Sequence, residues 1–363
     1  MEQLTFPDVA SLLSCSRTTR LHNDATRSGD GWALYEGEHR VHTASMGFNV
    51  LYLTSRITRD GIEAAARNMA GRGNTHIVYP TSAASLIERN KRLFPSVDVK
   101  GFWTTRDYLA SYIREELDQY KNRVSAGPPA HYVDPRVETP SGVPRKLPNP
   151  LLDFLTPDQF GSGRNHGDLA AVLGEPGQGK TYMTQYLAHR LCASDSGVVP
   201  ILIDSKQWTE IPSEHLQSLA KTIVHSFRHY DAPIAWIEGH EDDFLRVMLK
   251  AELFAIIFDG FDEYVLRNRH RVTADETLAT LAELASVAGS RIVITSRTSF
   301  WDTSVSEDGI AGVEEHVPLF KYKILPFDRS LPTRVRHLRF EFTEPSPTPS
   351  PPRWPVRTSL IWG

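Results

Sequence analysis

The octapeptide Gly174-Glu175-Pro176-Gly177-Gln178-Gly179-Lys180-Thr181 has the composition and spacing of a loop that wraps phosphate. Glycines at 174, 177 and 179 let backbone N–H groups curl around an anion with no Cβ in the way. A helix beginning at the end of the loop turns its positive end toward the same anion. All eight residues are therefore candidates for binding a nucleoside triphosphate. Lys180 would neutralise β- and γ-phosphate charge, and the Thr181 hydroxyl is the type of oxygen that ligates the accompanying Mg²⁺.

A second group lies about eighty residues downstream. The apolar run 253–258 reads as a buried strand and ends in Asp259, a carboxylate placed to hold Mg²⁺ at the carboxyl end of a sheet. Gly260-Phe261-Asp262-Glu263 then adds two acids just past the strand. Glu263 is the favoured residue to orient or deprotonate a water attacking the γ-phosphate, with Asp262 as second choice. Another apolar run ends in Thr295-Ser296-Arg297, which brings two hydroxyls and a guanidinium to the same edge, so Arg297 is a candidate to stabilise phosphate charge. Taken alone, acids or one arginine after a strand are ordinary surface features. The phosphate-binding loop upstream gives them a shared purpose.

These residues need a scaffold that delivers strand ends to one place. Four short apolar, β-branched runs, at 169–173, 198–203, 253–258 and 291–295, suit parallel strands covered on both faces. A helix through Met183, Leu187 and Leu191 follows the loop. Thr273-Ala274-Asp275-Glu276 forms a capping box that opens a helix with Leu278, Leu281, Leu284 and Ala285 on its apolar face and Gly289 marking its end. The expected fold class is α/β, a parallel sheet with helices on both faces, over residues 151–328.

Upstream, residues 50–54 and 76–80 read as strands flanking a helix through Ile62, Ala65, Ala66 and Met69, and a further helix is expected through Tyr108, Leu109, Tyr112, Ile113 and Leu117. This predicts a small α/β domain at 1–123. The proline-rich stretch 124–150 reads as a semi-rigid linker, and 329–363 as a proline-rich, disordered or truncated tail. The net charge of -4 gives no field directed at nucleic acid or an anionic membrane. Two distant cysteines, Cys15 and Cys192, make no disulfide or metal framework, and His22, His39, His42 and His76 lack ligand spacing. With no signal segment and no membrane-length apolar run, a cytoplasmic protein is expected.

Together the three stretches resemble the NACHT family within the signal transduction ATPases with numerous domains (STAND). Gly174 to Thr181 is similar to its Walker A loop, Asp259-Gly260-Phe261-Asp262-Glu263 to its extended Walker B, and Thr295-Ser296-Arg297 to its sensor 1. Val199-Pro200-Ile201-Leu202-Ile203, with Trp208 soon after, looks like the family's second strand and its exit. The resemblance implies a nucleotide-driven switch, with slow hydrolysis, oligomerisation on activation and a role in defence signalling. It favours ATP over GTP, and the sequence carries no guanine-reading Asn-Lys-x-Asp stretch. The helical lid, winged helix and repeat sensor that normally follow do not; after Lys323-Ile324-Leu325-Pro326-Phe327 the chain turns proline-rich, as expected of a truncated or frameshifted end. The N-terminal domain sits where the family carries an effector, and its strands resemble a restriction-endonuclease-like fold. A nuclease site there would need a Glu-x-Lys or similar pair, which is missing from strand 50–54. The nearby acids Asp30, Glu36 and Glu38 read as solvated turn residues, so a degenerate, partner-docking domain is expected. Two alternatives stay open: a nucleotide-binding scaffold that never turns over, and an N-terminal nuclease gated by the NTPase.

Overall fold

A computed structural model describes residues 6–14, 19–22, 24–41, 44–125, 135–156, 168–194, 196–205, 239–288 and 290–326. Cys15, His42, Trp208, Gly289 and the 329–363 tail lie outside the described residues.

The N-terminal part begins with helix α1 (Phe6–Ser14) and strands β1 (Thr19–Leu21), β2 (Arg27–Gly29), β3 (Trp32–Val41) and β4 (Ala44–Leu53). There follow α2 (Arg59–Met69), β5 (Thr75–Tyr79), α3 (Ala84–Asn90), β6 (Val99–Thr104), α4 (Thr105–Tyr112) and α5 (Arg114–Ser125). The strands form one mixed sheet, ordered β1-β3-β4-β5-β6 with β2 on β3; β3 and β4 are an antiparallel hairpin, and β4, β5 and β6 run parallel. Helix α2 buries Ile62, Ala65, Ala66 and Met69, the face that the apolar spacing specifies. The helix expected through Tyr108 and Leu117 is two helices, broken at Ile113, whose backbone leaves the helical region at φ -120. Its apolar positions stay in one core because Tyr108, Ile113 and Leu117 are all buried.

The central part contains β7 (Arg136–Glu138), β8 (Pro144–Lys146), α6 (Asn149–Leu155), β9 (Asp168–Leu173), α7 (Lys180–Cys192), β10 (Val199–Asp204) and α8 (Glu241–Lys250). It continues with β11 (Phe254–Asp259), α9 (Phe261–Arg267), α10 (Ala274–Ala288), β12 (Arg291–Ser296), α11 (Thr298–Ser304), α12 (Glu307–Glu314) and β13 (Leu319–Ile324). The sheet order is β10-β11-β12-β9-β13-β7-β8, with the first five strands parallel and β7 antiparallel to β13. Alternate strand residues serve opposite faces. Ala170, Val172, Ile257 and Val293 pack with α7 through Met183 and Leu187, whereas Ala171, Phe258, Ile256 and Ile294 pack with α8 and α10 through Phe244 and Leu281. Burial on both faces explains runs with no polar alternation. The capping box at α10 forms as its sequence requires: the Thr273 N–H donates to Glu276 Oε2 at 2.8 Å, and the Glu276 N–H to Thr273 Oγ1 at 3.2 Å.

Strands β7 and β8 fall within the stretch read as a linker. Val137 and Leu147, both fully buried, fasten that stretch to the sheet through β13. Three-residue strands among prolines show no periodicity, so nothing in the sequence separates them from a linker. Among the described residues no helix is long and apolar enough to cross a membrane.

The N-terminal part is docked on the central sheet. Phe6, Val9 and Leu13 of α1 share a core with Phe244 and Met248 of α8. The Arg106 guanidinium donates to the Ser196 carbonyl at 2.8 Å, and the Leu202 N–H of edge strand β10 donates to the buried Tyr120 hydroxyl at 3.0 Å. That phenol satisfies an outward-facing backbone donor that a buried edge would otherwise leave unpaired. Tyr120→Phe is therefore expected to destabilise the chain by about 1–2 kcal/mol and to accelerate exchange of the Leu202 amide. Native-state hydrogen exchange checks this; unchanged protection at Leu202 would show that the phenol does not hold the edge.

Candidate nucleotide-binding site

The candidate residues come from the carboxyl ends of three parallel strands, β9, β11 and β12. The glycine-rich loop leaves β9 and enters α7, with Gly177 at φ 80 and Gly179 at φ 82, in the left-handed region that glycine adopts freely. A Cβ at either position would point into open space, so backbone conformation rather than crowding demands glycine there. Gly174 differs: a Cβ would lie 2.7 Å from Gln178 Oε1 and 3.2 Å from Ile324. Gln178 ties the loop, its Oε1 accepting from the Glu175 N–H at 2.7 Å. Glu175, Pro176 and Gly177 are exposed at the rim.

Lys180 opens α7 and donates from Nζ to the Gly174 carbonyl at 2.7 Å and to that of Glu175 at 3.2 Å. Burial lowers its pKa; Asp262 and Asp259 act in the opposite direction, and Arg297 lowers it further. Lys180 thus lies within the field of Asp259, Asp262 and Arg297.

Asp259 ends β11 and is 6% exposed. Its Oδ1 accepts from Thr295 Oγ1 at 2.7 Å, the Thr181 hydroxyl lies nearby, and Thr295 Oγ1 in turn accepts from the Gly260 N–H at 2.9 Å. Burial raises the Asp259 pKa, the two hydroxyls oppose that rise, and Asp204 and Glu263 add to it. Thr181 and Asp259 therefore lie close together, one hydroxyl and one carboxylate at the mouth of the loop. Such a set of hard oxygen donors suits Mg²⁺. Gly260 bends the chain at φ 87 and leaves no room for a side chain, since a Cβ would stand 2.3 Å from Ser205 Oγ.

Beyond that bend, Asp262 and Glu263 begin α9. Asp262 is 2% exposed and its Oδ2 lies 2.9 Å from Arg297 Nε; Glu263, one-third exposed, has Oε1 3.8 Å from Arg297 Nη2. The structure therefore brings all the sequence-selected residues to one edge. It also adds Asp204, which ends β10 in register with Asp259. The signal for Asp204 was visible, an acid closing the second apolar run as Asp259 closes the third, but only strand pairing sets the two side by side.

The N-terminal acids are engaged elsewhere. Glu36 pairs with Arg72 at 2.9 Å, Glu38 accepts from Ser45 at 3.1 Å, and Asp30 sits in the turn between β2 and β3. Among the described residues no group of three or more His, Cys, Asp or Glu could hold a metal ion. His76 is packed against Phe48, Trp103 and Tyr108, and burial lowers its pKa.

A carboxylate whose pKa rises on folding costs stability above the folded pKa. The cost vanishes below the unfolded value, close to its ordinary 3.8. Asp259→Asn is thus expected to raise Tm by about 1–3 °C at neutral pH without nucleotide, a gain that fades as the pH falls toward that value. Scanning calorimetry across pH checks this; a lower Tm at neutral pH would contradict it.

A family model described as NACHT domain matches residues 168–331. Comparison with curated proteins finds no match. Among solved structures, Cdc6p from Pyrobaculum aerophilum is 16% identical, covering 55% of this chain and 48% of that one, with a TM-score of 0.27. PCH-2 of C. elegans is 12% identical, covering 60% of this chain and 42% of that one, with a TM-score of 0.22. The chain thus matches less than half the length of either structure, and at such scores the likenesses carry no argument. The assignment rests on the family match, the strand order and the loop.

Proposed function

Residues 168–331 are a NACHT domain of the P-loop NTPase fold, and from that premise we propose that the chain binds ATP with Mg²⁺ and hydrolyses it slowly as a conformational switch. The observation that carries the reading is the convergence of Lys180, Thr181, Asp259, Glu263 and Arg297 on one sheet edge, with the Thr181 hydroxyl beside the Asp259 carboxylate. The loop N–H groups from Gly174 to Thr181 and the Lys180 ammonium would bind the phosphates. Thr181 and Asp259 would hold Mg²⁺, which would supply positive charge to offset that of the phosphate oxygens. Glu263, partly exposed beside the buried Asp262, would take the proton of a water whose oxygen bonds to the γ-phosphorus as the β,γ-anhydride P–O bond breaks. The leaving oxygen stays with the diphosphate.

The N-terminal part would serve as a partner-docking domain, since its candidate acids Glu36 and Glu38 are engaged in polar contacts within their own domain. Self-association on activation and a role in defence signalling belong to the same proposal through the family. ATP is favoured over GTP on that ground as well.

Calorimetric titration and phosphate release with Mg²⁺ test this reading. Lys180→Ala is expected to weaken ATP binding by at least about tenfold, through loss of a charge-assisted contact. Glu263→Gln should bind as wild type does while turnover falls about a hundredfold or more. Equal turnover in wild type and Glu263→Gln would leave a nucleotide-binding scaffold, and absence of binding by wild type would remove the nucleotide reading altogether.

A further inference from the structure

Asp262 and Glu263 are consecutive acids, yet their surroundings differ. Glu263 keeps a third of its side chain exposed, whereas Asp262 keeps 2%. A carboxylate so enclosed has little access to a water molecule, and a buried charge needs a partner. Arg297, across from it at the end of β12, supplies that partner, with Nε 2.9 Å from Asp262 Oδ2. Thr295, two residues before Arg297, is bonded both to Asp259 and to the Gly260 N–H, which fixes the spacing of the two strand ends. Asp262 Oδ2 accepts no aligned hydrogen bond, so the contact with Arg297 Nε is an ion pair. Arg297 has five N–H donors, and anchoring at Nε leaves the four terminal ones for another anion. Its side chain is 41% exposed, and Nη2 now leans toward Glu263 at 3.8 Å.

We propose that Asp262 is a positioning residue that aims Arg297 at the terminal phosphate, rather than a second acid acting on water, so that this pair sets the preference for triphosphate over diphosphate. The inference rests on the nucleotide reading above. It assigns the two acids different work: Glu263 meets water, and Asp262 holds the guanidinium. A terminal phosphate would draw Nη2 away from Glu263 and leave that carboxylate unpaired, so triphosphate binding and readiness of the water-activating acid would be coupled.

The test is equilibrium binding of ADP and of a non-hydrolysable ATP analogue, both with Mg²⁺, to the full chain and to Asp262→Asn, Arg297→Ala, Arg297→Lys and the double variant Asp262→Asn/Arg297→Ala. Arg297→Ala and Asp262→Asn are each expected to reduce the triphosphate-to-diphosphate affinity ratio by about tenfold, the size of one charge-assisted contact, with ADP affinity within about threefold of wild type. The double variant should lose no more than either single one. Arg297→Lys keeps the charge on an exposed side chain but has no Nε to anchor, so it should lose the ratio too. This arm decides the matter if Asp262→Asn does not fold. A wild-type ratio in Asp262→Asn or in Arg297→Lys would overturn the proposal, as would additive losses in the double variant. If wild type binds neither nucleotide, the parent reading fails as well; if it binds both and the ratio resists these changes, only the positioning role fails.

Discussion

Insertion of β12 between β9 and β11 is the constraint on which the rest of the site depends. The glycine-rich loop leaves β9 and Asp259 ends β11, so the two are not neighbours in the sheet. Between them, Thr295 and Ser296 serve both. The Gly174 N–H donates to the Ser296 carbonyl at 3.1 Å, fixing the start of the loop, and Thr295 Oγ1 links Asp259 to the backbone of Gly260. Both residues are fully buried, so these bonds form where water cannot compete. Moving β12 by one residue would turn Thr295 to the other face and leave Asp259 buried with one donor fewer. The register is set by apolar pairing along the strands, with Ile292 opposite Leu169 and Ile294 opposite Ala171. Core packing at one end of the strands thereby determines polar geometry at the other.

The cost of that arrangement is local. Asp259 is buried against its preference for water, Lys180 is partly desolvated, and the buried Asp262 is ion-paired with a half-exposed Arg297. Such frustration is common where binding is the purpose, because a phosphate and a divalent cation would satisfy groups that the protein alone satisfies incompletely. What Gly177 and Gly179 provide to the loop is a left-handed backbone at φ 80 and 82.

What was legible in the sequence follows from how local each cause is. The loop, the acids after β11 and Arg297 were readable because the chemistry restricts residue type at fixed spacing. The helix faces of α2 and α10 were readable because periodicity and a capping box act within a few residues. The β3–β4 hairpin was only half visible: β4 shows an apolar stretch, but β3 mixes buried Leu34 and Tyr35 with exposed Glu36 and His39. The strands β7 and β8 are recognised as such only by pairing with β13 and with each other, and the proximity of Asp204 to Asp259 exists only in the sheet. Docking of α1 and Tyr120 on the central part was not legible at all, since it joins residues more than eighty positions apart through shape rather than pattern.

Whether left-handed glycines at one sheet edge form a nucleotide site is decided by thermal denaturation of the full chain with Mg²⁺ and increasing ATP, beside Gly179→Ala. In wild type the Tm is expected to climb with the logarithm of ATP concentration, as binding to the folded state requires. No climb is expected in Gly179→Ala, where a side chain strains the φ of 82 on which the loop depends. A flat wild-type response at millimolar ATP, or an equal climb in both proteins, would contradict such a site.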